Sequence, residues 1–240
     1  MVVEGYLSKS ELLEKILDYL ECWARKIDAL YLFASTPAKF EYEENAETPS
    51  QDMKFNLPRA SELIDKVLIP LARKLNLPIG LKVGACRGVN PDLAPCNGGD
   101  GVEVVDTKFL QSLCRKFADV KFLVTFLARS NQHEACVLSN KFRNCHLYGC
   151  WWFCNNPSII EEITNMRIEM LGTAFTAQHS DARVIDQLIY KWDHSRNIIG
   201  KCLIKRYKEL QKVGYFVSKN QIQRDVQLLF GGSFEEFMAK

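Results

Sequence analysis

YGCWWFCNNPSIIEEI, residues 148–163, joins an apolar run to a helix start and sets two of the chain's 4 tryptophans side by side. Asn156 can cap a helix, and Pro157 suits the first helical position, where a missing N–H costs nothing. Ser158 and Glu161 stand at capping-box spacing. The segment before them, CHLYGCW (145–151), reads as a strand, so this stretch is a strand-to-helix turn. Neighbours on an extended segment point to opposite faces, so Trp151 and Trp152 cannot share a pocket if the strand runs through them. One indole is expected beneath the sheet. The other is expected at the strand's carboxyl end, where α/β proteins place ligands.

The same alternation extends in both directions. DALYLFA (28–34), IGLKVGA (79–85), KFLVTFL (121–127) and GTAFTAQ (172–178) also read as strands. Helical patterns fall near 10–26, 59–75, 106–117, 131–142, 158–170, 182–210, 218–229 and 233–238. Strand followed by helix, repeated, implies parallel strands with right-handed crossovers. Five such units suit either an open doubly wound sheet or most of an eight-stranded barrel. CNGGDG (96–101) lacks the order of a dinucleotide fingerprint and reads as a plain turn. The acidic connection from Ser35 to Leu57 is long for a compact fold, so it is either a loop over the mouth or an insertion.

With 47% hydrophobic and 25% charged residues among 240, composition is that of a globular protein. Net charge is +2 with both signs interleaved, which announces no nucleic-acid partner. The lysines of KCLIKRYKELQK (201–212) read as a solvated helix face. No run approaches the roughly 18 apolar residues of a membrane span. The start lacks the basic-then-apolar order of a signal peptide, and a cytoplasmic location is expected. The 9 cysteines include no CxxC pair, so reduced, buried thiols are expected. Cys145, His146, Cys150 and Cys154 are spaced too widely for a zinc knuckle.

Polar residues follow each strand: Arg87 and Asn90; then Arg129, Asn131 and His133; then Trp151, Trp152 and Asn155; then His179, Asp181 and Arg183. Parallel strands bring all four sets to one face, and that face is the expected site. Lys82, flanked by Gly80 and Gly84 on its own face, adds to it. A lysine at the centre of a covered strand is costly unless paired or solvated, and the glycines are expected to leave room for a ligand. If the segment is extended, His179 and Asp181 share a side and suit a metal or a proton-transfer pair. Asp181 equally suits the N-cap of a helix starting near Ala182. Arg183 can grip a carboxylate in bidentate fashion.

GLKVGACRGVN, YGCWWFCNN and HSDARV, taken together and in this order, resemble the later half of uronate isomerases, in the amidohydrolase superfamily. The resemblance covers residues 28–210, with 211–240 as a helical tail of the same single domain. It implies an incomplete (β/α)8 barrel of TIM type holding about the last five βα units. It also implies interconversion of glucuronate with fructuronate, or galacturonate with tagaturonate, in hexuronate catabolism. On this resemblance Asp181 matches a ligand of a divalent metal such as zinc and a proton carrier. Arg183 matches the holder of the substrate carboxylate, and Arg87, Trp151 and Trp152 line the sugar site, with His179 and Asn90 beside them.

Two departures stand out. The family carries His where this chain has Lys82, and a charged lysine is a donor only. The family's His-x-His metal pair is missing, since the histidines are 133, 146, 179 and 194. The expectation is therefore a truncated uronate isomerase, with self-association through exposed barrel edges. The alternatives are another sugar-acid enzyme using Lys82, or a non-catalytic barrel remnant.

Overall fold

The computed structural model describes residues 8–42, 58–93 and 98–239. Helix α1 (Lys9–Lys26) starts at a capping box: the Ser8 hydroxyl accepts from Glu11 N–H, and the Glu11 carboxylate accepts from Ser8 N–H at 2.8 Å. Strand β1 (Leu32–Ser35) follows, then α2 (Ala60–Leu63) and α3 (Ile69–Leu75). These two are one helix widened between them, where Ile69 N–H reaches back five residues to Ile64. Pro70 has no N–H to offer Lys66, which accounts for the wide turn. Next come β2 (Ile79–Val83), the short antiparallel pair β3 (Ala85–Cys86) and β4 (Gly101–Val102), and α4 (Lys108–Lys116). Then β5 (Phe122–Phe126), α5 (Gln132–Lys141) and β6 (Cys145–Leu147) complete the sheet. Helices α6 (Pro157–Leu171), α7 (Ile185–Lys212), α8 (Lys219–Gln227) and α9 (Ser233–Ala239) close the chain. No helix among the described residues is long and apolar enough to cross a membrane.

The main sheet is wholly parallel and runs β1-β2-β5-β6, in sequence order, without the reversal of a doubly wound sheet. Its two faces differ. Leu81 and Val83 of β2, Phe122, Val124 and Phe126 of β5 and Leu147 of β6 join α4 and α5 in one core. Each such side chain, fully buried, stabilises by roughly 1.5–3 kcal/mol. The opposite face, in register, carries Phe33 and Ser35, Gly80 and Lys82, Leu123 and Thr125, and His146. Helix α9 covers the lower part of that face, with Phe237 stacked on His146 at 4.8 Å and Ser233 donating to Phe175 O at 2.7 Å. The upper part stays open.

The fifth strand expected at 172–178 does not form. Only a parallel bridge between Tyr148 and Thr176 stands there. Thr176 keeps two ladder bonds, but Ala177 N–H turns to Leu229 O and the Gln178 side chain takes Cys150 N–H. With Ala177 N–H drawn to Leu229 and Cys150 N–H taken by a side chain, the ladder stops at Thr176. Likewise β6 stops at Leu147, short of the expected 151, and β1 begins at Leu32 rather than 28. Helix α7 starts at Ile185 with Val184 at its cap, so Asp181 caps nothing. Residues 43–57 of the long connection, and Cys96 and Asn97 of the glycine turn, lie outside the described residues.

Candidate functional site

Lys82 rises from β2, a strand with neighbours on both sides, onto the open face of the sheet. Its Nζ donates to Asp181 Oδ1 at 2.5 Å. The ammonium also lies 5.2 Å from the Trp151 ring centroid and 5.4 Å from that of Phe33, close enough for cation–π attraction. It is held from three sides.

Asp181 reaches this position through an unusual backbone. Its φ is +44°, in the left-handed region that a residue with a Cβ enters at a cost of about 1–2 kcal/mol. Lys191 of α7 holds the turn, donating to Ser180 O at 2.9 Å and Asp181 O at 3.3 Å. Three residues before Asp181, Gln178 is pinned between Cys150 N–H (3.2 Å) and Ser195 Oγ (2.9 Å). Burial pushes the Asp181 carboxyl up, but the Lys82 hydrogen bond and charge outweigh it, helped by the Trp151 indole N–H. The net effect holds Asp181 below the usual aspartate value.

His179 packs on Tyr148 with ring centroids 5.0 Å apart. Burial, aided by the Lys82 charge and opposed by Asp181, lowers it to about 4, so the imidazole is neutral near pH 7. Its Nε2 and the Tyr148 hydroxyl are both closed off and without hydrogen-bond partners among the described residues. Gly149 makes the close approach possible. Its φ is +65°, and a Cβ there would fall 1.7 Å from His179 Cδ2.

Lys82, Asp181, His179, Tyr148, Tyr31 and Phe33 line a cavity of 410 Å³, a size suited to a small molecule. A second cavity, between β1 and α2 (210 Å³), is lined mainly by apolar side chains such as Phe40 and Ile64, and carries no chemistry.

At the mouth, Arg87 pairs with Asp100, whose carboxylate also accepts from Gly88 N–H at 3.1 Å. Arg87 above all, with Gly88 and Arg183, keeps the Asp100 carboxyl below its usual range against a burial effect. Arg183 therefore belongs to the same charged rim, with Cζ 6.0 Å from the Trp152 ring. Its N–H donates to Gln187 Oε1 at 2.9 Å.

The two tryptophans do not part as expected, because the strand ends before them. Their rings meet at 6.3 Å. Trp151, 3% exposed, backs Lys82 rather than lying under the sheet, and Trp152 stands at the rim with φ +42°. Other expectations fail for clear reasons. The space at Gly80 is filled by the Phe33 ring, 2.4 Å from where a Cβ would sit, and Gly84 backs onto Glu103 O at 3.1 Å. Neither glycine leaves room for a ligand. Asn90 is a loop residue, its Oδ1 accepting from Asp92 N–H and its carbonyl pressed against Gly99. Arg129 pairs with Glu162, and Asn131 clasps both backbone groups of Val105. His133 lies exposed on α5.

The sequence pattern missed Phe33, Tyr31, Tyr148, Gly149, Asp100 and Lys191. Period-two parity from Lys82 across the register identifies Phe33, and parity from His146 identifies Tyr148. Nothing local marks Lys191, which sits inside a helix.

Asp181 was expected to hold a divalent metal. Among the described residues no three His, Cys, Asp or Glu gather for one. The Asp181 carboxylate already holds an ammonium. A divalent ion about 4 Å from that charge would meet about 8 kcal/mol of repulsion at an effective dielectric near 20. The described donor set does not fit a metal.

A parallel sheet packed on helices, with a charged cavity at the open end of its other face, defines an α/β protein with a candidate site in that cavity. No protein-family model matches the sequence, and no curated protein matches it. Among solved structures, a uronate isomerase from Bacillus halodurans C-125 is 38% identical, with a TM-score of 0.86, covering 100% of this chain and 53% of that one. A uronate isomerase from Thermotoga maritima (16% identical, TM-score 0.67) and a glucuronate isomerase from Caulobacter crescentus (15%, 0.70) share the fold over 95% of this chain. They are covered over 53% and 51% of their own lengths. By sequence the chain is similar to the Bacillus halodurans uronate isomerase and by fold to all three proteins, and it spans about half of their length.

Proposed function

We propose that this chain forms the later half of a (β/α)8 uronate isomerase and carries the acid-binding and proton-transfer side of its site. The observation behind this is the 38% identity over the whole chain to the Bacillus halodurans uronate isomerase, combined with the Lys82–Asp181 cavity at the strand ends. Strands in sequence order with helices on one face are what a barrel wall needs, since a doubly wound sheet is covered on both.

The substrate is an open-chain hexuronate. Arg183, on the rim beside Trp152, takes the carboxylate, for which a planar two-donor group suits better than a point charge. The hydroxylated chain enters the cavity lined by Lys82, Tyr148, His179 and Asp181. Asp181 accepts the proton from C2. The electron pair forms the C1–C2 double bond, and the aldehyde oxygen takes the negative charge. Asp181 returns its proton to C1, a proton passes from O2 to O1, and the C2 carbonyl forms. Asp181 touches the moving proton, so it is catalytic in this reading.

Incubation of the chain with glucuronate, galacturonate and glucose, by titration calorimetry and by NMR in heavy water, tests the proposal. The acids should bind and glucose should not. Any exchange of the C2 hydrogen should vanish in Asp181→Asn while binding persists. Equal affinity for glucose and the acids would overturn it.

A further inference from the structure

Lys82 is the element of this site that a metal-binding reading leaves unexplained. It stands on an interior strand, fixed by register between Ser35 and Thr125, so its backbone cannot yield. Its ammonium sits on Asp181 Oδ1 and faces two aromatic rings and the cavity. An ammonium has three N–H donors, and Asp181 takes one. We infer that Lys82 is the fixed cation of the site: its ammonium occupies the position at Asp181 that would otherwise admit a metal ion, and it hydrogen-bonds the oxygen on which charge develops.

This inference rests on the isomerase reading for its chemistry, though not for its geometry. In the proton transfer described above, removal of the C2 proton puts a full negative charge on O1. A donor already in place, in a partly desolvated pocket, stabilises that charge without reorganising. Lys82 gives up no proton in that step. The O1 charge is discharged by the proton arriving from O2, and the ammonium is left as it began. The same ammonium keeps Asp181 ionised and therefore ready to accept from carbon. Lys82 also repels a second cation at Asp181, and no group of three ligand residues is assembled there among the described residues.

Replacing the cation by a neutral ligand should convert the place into a metal site. Lys82→His adds an imidazole to Asp181 and His179. Zinc titration by calorimetry is the direct test, on the chain as it stands and on Lys82→His, Lys82→Met, and Lys82→His combined with Asp181→Asn. The unchanged chain should show no saturable zinc site dependent on Asp181. Lys82→His should bind zinc at least about tenfold more tightly, and Asp181→Asn should remove the gain. Circular dichroism checks that each variant is folded, and Lys82→Met supplies the removal of charge without a new ligand. Stoichiometric zinc on the unchanged chain, lost in Asp181→Asn, would overturn the inference. So would a folded Lys82→His variant with no gain.

The catalytic part is read from C2 hydrogen exchange. Lys82→Met should slow it about a hundredfold or more, with hexuronate binding changed far less, while Lys82→Arg keeps part of the rate. Equal losses in binding and exchange would refute that role. If no hexuronate binds to any variant, the isomerase reading fails, and the zinc titration still decides whether Lys82 is the resident cation.

Discussion

Replacing Gly149 by alanine sets a small change against a tight geometry. Gly149 is pinned on both sides: its N–H donates to Thr176 O at 2.8 Å, and its carbonyl accepts from the buried Arg167 at 2.8 Å. The backbone therefore cannot leave φ +65°, where an alanine costs about 1–2 kcal/mol. The new methyl would also lie 1.7 Å from His179 Cδ2, so the imidazole must move off Tyr148. Overpacking of this kind adds about 1–3 kcal/mol, for a total of about 2–5 kcal/mol. Urea unfolding of Gly149→Ala, His179→Ala and the double variant separates the two parts. Removing the ring removes the collision, so the double variant should be more stable than the sum of single effects predicts, by about 1–3 kcal/mol. The backbone cost should remain. Additive effects within about 0.5 kcal/mol, or a Gly149→Ala protein as stable as the parent, would refute the reasoning.

Three further outcomes follow from the site. Arg183→Lys should weaken binding of sugar acids by about 1.5–3 kcal/mol and leave neutral sugars unchanged; calorimetry with glucuronate and glucose checks this, and equal losses would make the arginine only structural. Lys191→Met removes two hydrogen bonds from the turn that aims Asp181, so it should lower any C2 exchange more than hexuronate binding, with Lys191→Arg recovering part; an unchanged exchange rate would count against it. His179 titrates near 4 in the folded chain against an ordinary 6.5, so unfolding takes up a proton between those values. Stability should therefore fall as pH drops from 6.5 towards 4, by at most about 3 kcal/mol, while Asp181 adds its own loss only below about 3.8. Urea midpoints at pH 7, 5.5 and 4.5 should show a shallower decline in His179→Asn, and an identical decline would sink the assignment.

The helices and the parallel order were legible because hydrophobic periodicity and caps are local. Asn156 with Pro157, for example, starts α6 as its residues dictate, with Asn156 Oδ1 accepting from Ile159 N–H at 3.3 Å. The convergence of Lys82 and Asp181 was legible too, since Lys82 stands on the open face of β2 and Asp181 follows the segment that bridges to Tyr148. What escaped was set by long-range partners. GTAFTAQ has strand composition, yet Leu229 O takes its Ala177 N–H, and Cys150 N–H meets the Gln178 side chain instead of its backbone. Gly80 looked like space for a ligand, but the residue across the register is Phe33, whose ring fills it. The roles of Asn90, Asn131 and Arg129 turn on partners such as Gly99, Val105 and Glu162, which no spacing rule names. Lys191 shows its purpose only once Asp181 is known to be left-handed.

The Lys82–Asp181 pair joins residues 99 positions apart, and this bears on the order of assembly. Closing a loop of that length in a flexible chain costs about 4 kcal/mol of entropy beyond a length-independent constant. One hydrogen-bonded pair cannot meet that cost unaided, so β2, β5 and β6 must already be side by side when it forms. Lys191 must arrive as well, and it lies in α7, a helix that runs to residue 212. During synthesis the strand that carries Lys82 is therefore paired well before its charge meets that of Asp181. In that interval a lysine stands on the inner face of a nascent sheet with no counterion from this turn.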